Sequence, residues 1–264
     1  VQDDYRCFAF PLDIQETQYV TGYELMPDVT EMAHHGIVYL VGESAQSAID
    51  RKNQQDGRIG WSCYGSVGLS TSSEMIGTWA PGASPTIYPE GTGYQLNPGD
   101  IVVVQMHYNL AITRQPDQTQ VIFQFAEADE DITELMTYEL TAPVEIPCPT
   151  DVDGPQCNRI AALDRVANLY GQEFHYFPDA LLQDCNQTLD VYAENTGERA
   201  IGYCDYPIPA PLTVFGVFGH MHELGRSFQF ELNPDSDEPI YLLDIPNWDF
   251  HWQDTYYFVE PLEL

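Results

Sequence analysis

The sequence predicts an all-β protein, an antiparallel β-sandwich carrying a short helical, disulfide-bearing insertion. Three observations lead there. Short runs rich in β-branched and aromatic residues recur along the chain and are separated by Pro- and Gly-containing turns. One unit, YQLNPGDIVVVQMHY at residues 94–108, joins a turn to an unbroken β-branched run. Helical periodicity is confined to one stretch, residues 158–170, where Ile160, Leu163, Val166, Leu169 and Tyr170 recur at three- and four-residue steps.

Taken in order, residues 5–10 alternate aromatic and small side chains and end at Pro11, which predicts a strand running into a turn. Residues 18–25 read as a second strand. Residues 33–41, AHHGIVYLV, form a β-branched run with a histidine pair near its start. Residues 44–60 read as polar loop, 61–68 as a cysteine-bearing connection, and 77–93, with repeated Pro and Gly, as an ordered loop. The turn Asn97-Pro98-Gly99-Asp100 predicts a hairpin whose second strand, IVVVQMHY, is buried. Residues 120–125 and 137–140 continue the strand rhythm. Residues 143–209 hold four of the six cysteines and the helical stretch, and read as an insertion or linker. Strands resume at 213–222 and 226–232. A partial echo of the YQLNPGD unit appears in the last residues, YFVEPLEL.

Composition limits what the chain does. Nine Lys and Arg oppose 41 Asp and Glu, a formal charge of -32. Such a surface repels nucleic-acid phosphates and anionic lipid headgroups, so neither is expected as a partner. Cys7, Cys63, Cys148, Cys157, Cys185 and Cys204 are scattered and form no CxxC pair. They predict three disulfides and an oxidising compartment, secreted or periplasmic, with the pairing left open. No apolar run approaches the roughly 20 residues of a membrane helix. The chain opens VQDDYRCF without a charged-then-apolar leader, so an exported form is expected to have lost its signal peptide. Asn186-Gln187-Thr188 is a glycosylation sequon.

The histidines carry the chemistry. His34 and His35 are adjacent, His107 follows in the buried strand, and His220 and His222 are one residue apart. On a strand, residues i and i+2 share a face, so an HxH pair presents two imidazoles side by side, as a metal chelate requires. Adjacent histidines point to opposite faces of a regular strand. Holding one metal with both His34 and His35 therefore requires a bend or strand end, which Gly36 is placed to supply. Gln105 lies two residues before His107, on the same strand face, where it is a candidate to orient a ligand or a cleft water. Imidazole suits copper in both oxidation states.

These pieces, in order YRCFAF, HHGIVYL, WAPG, VVVQMHY and HMHELGR, resemble the copper type II ascorbate-dependent monooxygenases, the family of peptidylglycine α-hydroxylating and dopamine β-monooxygenases. The resemblance spans nearly the whole chain, with residues 143–209 only loosely comparable. It implies two jelly-roll-like β-sandwiches facing each other across a wet cleft, at residues 1–140 and 211–264, joined by a cysteine-rich segment at 141–210. It implies two coppers. His34, His35 and His107 would hold the first, which passes electrons from a reductant such as ascorbate. His220 and His222 would belong to the second, where dioxygen binds and an activated C–H of a small-molecule substrate is hydroxylated.

Two departures qualify the resemblance. The family completes its second site with a methionine downstream of HxH, where a thioether favours Cu(I). The methionines here are Met26, Met32, Met75, Met106, Met136 and Met221, none after His222. Either the second sandwich is shortened at its C-terminus, leaving a bared sheet edge, or another residue completes the site, with His251 the only later histidine. In the first case the second copper is expected to be weakly held, and copper binding or electron transfer without oxygenation is the alternative function. Peptide-amidating members also place an arginine two residues before HxH. Phe218 stands there, which removes the carboxylate clamp and favours a neutral or amine substrate. Arg226 reads as a surface partner, His175 as a surface histidine, and Asp151-Val152-Asp153-Gly154 as a turn lacking the rest of a calcium loop.

Overall fold

The computed structural model describes residues 3–111, 113–127, 130–222, 224–250 and 252–264, and at Glu173 the backbone alone. The strands and main helices are β1 (Asp3–Pro11), β2 (Gln18–Met26), β3 (Ala33–Val41), α1 (Gln46–Asp56), β4 (Trp61–Ser62), β5 (Ser73–Trp79), β6 (Thr86–Ile87), β7 (Thr92–Leu96), β8 (Ile101–Asn109), β9 (Gln120–Phe125), β10 (Thr133–Glu134), α2 (Arg159–Tyr170), α3 (Phe177–Asp184), β11 (Thr213–Phe218), β12 (Phe228–Leu232), β13 (Ile240–Ile245) and β14 (Thr255–Glu263). The all-β expectation holds. The chain divides into two compact units, residues 1–137 with 211–264, and residues 138–210.

In the first unit, one sheet has the order β4-β1-β8-β3-β5 and a second the order β10-β7-β2-β6, with β9 also paired to β2. Strand β8 is central because its sequence suits burial on both sides. Val102, Val104, Met106 and Tyr108 face a core shared with Val20, Leu25 and Leu96 of the second sheet. Ile101 and Val103 face a smaller core with Trp61, Val67, Ile49 and the Cys7–Cys63 bridge. Further along that second face come Gln105 and His107, both buried. Residues 211–264 add two antiparallel pairs, β11 with β14 and β12 with β13.

The turn at residues 97–100 is present, with the Asp100 N–H donating to the Asn97 carbonyl at 3.0 Å. It does not make the expected hairpin: β7 pairs with β2 and β10, whereas β8 pairs with β1 and β3. Turn chemistry explains the correction. Pro98 at the second position and Gly99 at the third, with φ of 91°, fit a type II turn. Two-residue hairpins favour the mirror-image turns that match strand twist; this turn instead carries the chain from one sheet to the other.

Three other expectations change. The polar stretch at 44–60 contains α1, which offers periodicity no signal because Ile49 is its only buried residue. A second helix, α3, sits in the 138–210 unit with Leu181 and Leu182 buried. Residues 137–140 are not a strand; Thr137 instead donates its hydroxyl to the Met75 carbonyl at 2.6 Å. The expected helix at 158–170 forms, with the Asn158 side chain accepting from the Ala161 N–H at its start.

All six cysteines pair, as Cys7–Cys63, Cys148–Cys157 and Cys185–Cys204. The last two lie within the 138–210 unit, where Arg159 bridges Glu145 and Asp179. The first ties β1 to the residues after β4. No described helix is long and apolar enough to cross a membrane. Closing the loop between Cys7 and Cys63, 56 residues apart in sequence, restricts the unfolded chain by about 4 kcal/mol on a chain-entropy account. Replacing both cysteines by Ala is expected to cost roughly that much in urea unfolding at fixed pH, and an unchanged midpoint would contradict it.

Candidate metal centre

Strand β3 solves the problem of two adjacent histidines with a β-bulge. Across from β8, Ala33 pairs with Tyr108, His35 with His107 and Gly36 with Met106, and the register shifts between Ala33 and His35. His34 is the extra residue, and a bulge of this kind resets the alternation of side chains. The His34 and His35 rings consequently reach the same side of the sheet as His107. Their centroids lie 4.7 and 4.8 Å from that of His107 and 5.5 Å from each other. One ligand atom from each of the three falls within 4.8 Å of the others. The bend does not come from Gly36, which has no positive φ. A Cβ there would meet Leu25 Cδ1 at 2.8 Å and Met106 Sδ at 3.0 Å, so Gly36 serves close packing beneath the bulge.

The ring nitrogens are arranged as a metal requires. His34 Nδ1 and His35 Nδ1 are 3.3 Å apart, the separation of two ligands each about 2 Å from a tetrahedral ion. The His107 Nε2–H donates to Asp3 Oδ1 at 3.2 Å. That bond fixes the tautomer and leaves Nδ1 with its lone pair. His107 Nδ1 is buried and has no hydrogen-bond partner among the described residues, which is costly for a polar atom unless something binds it. Three imidazoles, one with an orphaned buried nitrogen and one backed by a carboxylate, fit a copper ion. Tyr5, directly opposite His107 on β1, stacks on its ring with centroids 4.0 Å apart and planes 12° from parallel.

Burial also keeps His35 and His107 neutral. The His35 pKa falls to about 2, first through burial and then through the neighbouring imidazoles of His107, His34, His220 and His222. That of His107 falls to about 4, again chiefly through burial, with the Asp3 bond opposing. Gln105, expected to orient a ligand or water, commits its amide nitrogen elsewhere, donating to the Cys63 carbonyl at 2.9 Å and the Ser66 carbonyl at 3.1 Å. It anchors the loop that carries Tyr64.

The second histidine pair is not on a strand. β11 ends at Phe218, and His220 and His222 follow it in irregular chain. Their rings still come together, with centroids 5.1 Å apart and planes at 76°. The orientation comes from Gln253. Its amide nitrogen donates to the Phe250 carbonyl at 2.8 Å, which turns Oε1 toward His220 Nδ1 at 2.6 Å. An amide oxygen only accepts, so Nδ1 carries the proton and Nε2 the lone pair. The His220 ring keeps solvent-accessible surface, yet surrounding protein lowers its pKa, followed by His222, with the Gln253 bond opposing. The Phe218 ring lies 6.3 Å from that of His220. Among the described residues these two histidines gather no third His, Cys, Asp or Glu donor. His251, the alternative third ligand, lies outside the described residues.

Aromatic rings border both groups. Phe250 stacks on His34 at 4.8 Å and lies 6.3 Å from His222. Tyr64 meets Tyr5 edge-on at 4.9 Å and His222 at 6.5 Å. Asp3, Tyr5, Gln253 and Phe250 are the site residues that sequence reasoning missed. Tyr5 had a faint signal as the first residue of the strand read at 5–10, and Asp3 shares its face once that strand extends back two residues. The pairing of that strand with β8 had none.

Metal-free protein offers a test of the buried neutral imidazoles. His35 and His107 titrate near 2 and 4 when folded and near 6.5 when unfolded. The unfolded chain therefore binds more protons below about pH 6.5, and stability falls as pH drops from there toward about 4. Each histidine contributes at most about 1.4 kcal/mol per pH unit. Urea unfolding in chelator from pH 6.5 to 4 is expected to show a shallower pH slope for His107→Asn than for the unsubstituted chain. Parallel slopes would contradict the assignment.

Residues 1–114 match the family model described as copper type II ascorbate-dependent monooxygenase, N-terminal domain. No curated protein matches the chain. His34, His35 and His107 fall inside the matched region, and His220 and His222 outside it. The stretches YRCFAF, HHGIVYL, WAPG and VVVQMHY all fall in the matched region, so the resemblance they carry is to that N-terminal domain, over residues 1–114.

Proposed function

We propose that this chain is a copper-dependent monooxygenase. It would hydroxylate an activated C–H of a small neutral or amine substrate, using dioxygen and a one-electron reductant such as ascorbate. The observation that carries the proposal is the bulged three-imidazole cluster inside a domain of this family. In this reading His34, His35 and His107 hold the copper that receives electrons, within residues 1–140. His220 and His222, in residues 211–264, hold the copper at which oxygen reacts.

Copper when bound supplies one-electron transfer and oxygen activation. The protein's own residues hold it and orient it. The bulge fixes two ligands with little freedom, Asp3 and Gln253 each fix one imidazole tautomer, and Tyr5, Tyr64 and Phe250 pack against the rings. Phe218 beside His220 offers no charged partner for a carboxylate, and the net charge of -32 draws cations and repels anions. Both features support an amine or neutral substrate over an anionic peptide. Three disulfides support an oxidising compartment, secreted or periplasmic.

Metal analysis after copper loading and dialysis is expected to give two coppers per chain. His107→Ala and His220→Ala should each lose one, and each should drop ascorbate-driven oxygen consumption to background. Fewer than two coppers in the unsubstituted chain would sink the proposal. A two-copper chain that consumes no oxygen with any reductant would instead be a copper-binding, electron-transfer protein.

A further inference from the structure

Nine asparagines occur in the chain, and Asn186-Gln187-Thr188 is the one place where the pattern Asn-X-Ser/Thr arises. It lies in the 138–210 unit, between α3 and the short 3₁₀ turn Leu189–Tyr192. The fold uses the middle side chain of the three and leaves the outer two unspent. Gln187 is committed at both ends of its amide: the nitrogen donates to the Tyr203 carbonyl at 3.1 Å and the oxygen accepts from the Tyr192 hydroxyl. Cys185, on the other side of Asn186, is bonded to Cys204. Between these two anchors Asn186 is exposed, and among the described residues its carboxamide has no hydrogen-bond partner.

Thr188 is exposed as well. It stands at the N-cap of the Leu189–Tyr192 turn, where a threonine hydroxyl ordinarily accepts a backbone N–H, yet no such bond forms. Two other asparagines of the same unit show the contrast. Asn158 caps α2 through its side-chain oxygen, and Asn195 donates its amide to the Glu145 and Ile201 carbonyls. The Asn186 backbone has a φ of 51°, a left-handed conformation that asparagine tolerates and glycine tolerates better. The turn therefore accounts for a residue of that kind at 186. It does not account for a threonine two positions on with an idle hydroxyl.

We propose that Asn186 is an N-glycosylation site, modified when the chain is exported through a compartment that holds an oligosaccharide on a polyprenyl diphosphate carrier. The Asn186 amide nitrogen forms a bond to the anomeric carbon of the first sugar. The bond from that carbon to the diphosphate oxygen breaks, and the polyprenyl diphosphate leaves with the electron pair. The amide gives up one proton to the transferase, and nothing is oxidised or reduced. The Thr188 hydroxyl is the group by which the transferase recognises the acceptor. Because neither side chain is bonded in the fold, the turn carries the glycan without losing a native hydrogen bond. Leu189 and Val191, just beyond the site, are 46% and 44% exposed, and Tyr203, whose carbonyl holds Gln187, is 50% exposed. A bulky hydrophilic glycan beside them shields apolar surface that otherwise favours association.

The test is intact-mass analysis of the full chain, expressed behind a signal peptide in a eukaryotic secretory host and recovered from cells and medium together. The expected result is a mass increase of one glycan per chain, removed by an amide-cleaving glycosidase that leaves a carboxylate at residue 186. Asn186→Gln and Thr188→Ala should each abolish the increase, and Thr188→Ser should retain it. An unmodified chain, or a glycan that persists in Asn186→Gln, would overturn the assignment. Binding of an apolar dye to Asn186→Gln is expected to exceed that to the glycosylated chain. Equal binding would overturn the shielding role and leave the site itself in place.

Discussion

The β-bulge at His34 is the constraint on which the histidine cluster depends. A regular strand would send one of two adjacent imidazoles into the sandwich core and the other outward. The extra residue between Ala33 and His35 keeps Ala33 and Gly36 in the core and brings both rings to the outer face. The bulge is held in place from below. Gly36 admits Leu25 and Met106 so closely that a Cβ there would make their side chains shift, and the strand beyond it continues in register with β8 to Ile101. The outer face of β8 is then ordered along its length, from apolar core at Ile101 and Val103, through the buried amide of Gln105, to His107.

The site gathers imidazoles within a strongly acidic protein of formal charge -32. Rings line it, Tyr5, Tyr64, Phe250 and the histidines, with the Asp3 carboxylate against His107. Burial keeps His35 and His107 from protonating at neutral pH, so a metal arriving there competes with few protons. The same burial makes the metal-free site costly, because His107 Nδ1 has lost water without gaining a described partner. A site that is expensive to leave unfilled and already set in geometry is one that a metal stabilises on binding.

Much of this was legible in the sequence. The β-branched run IVVVQMHY announced a buried strand, and β8 is that strand. The six scattered cysteines announced three disulfides, and three exist. His34, His35 and His107 could be named together because their order matched a known pattern. What stayed hidden depended on long-range pairing or on polar detail. The turn NPGD looked like a hairpin because its residues define a turn, whereas strand partners are decided by the sheets around it. Helix α1 was hidden because one buried isoleucine leaves no period to count. The strand expected to carry His220 and His222 ends two residues short, at Phe218, and it is Gln253, 33 residues beyond His220, that orients the first of that pair. Asp3 is likewise 104 residues from His107, a distance that no local pattern bridges.

The central claim is that His34, His35 and His107 act as one three-imidazole copper site because of the bulge. Copper-edge X-ray absorption on the chain carrying a single equivalent of Cu(I), with His220→Ala to remove the other site, tests it most directly. The account predicts three imidazole nitrogens at about 2 Å from the metal, reduced to two when His34 is also replaced by Ala. A spectrum with one or two imidazoles that is unchanged by replacing His34 would contradict it.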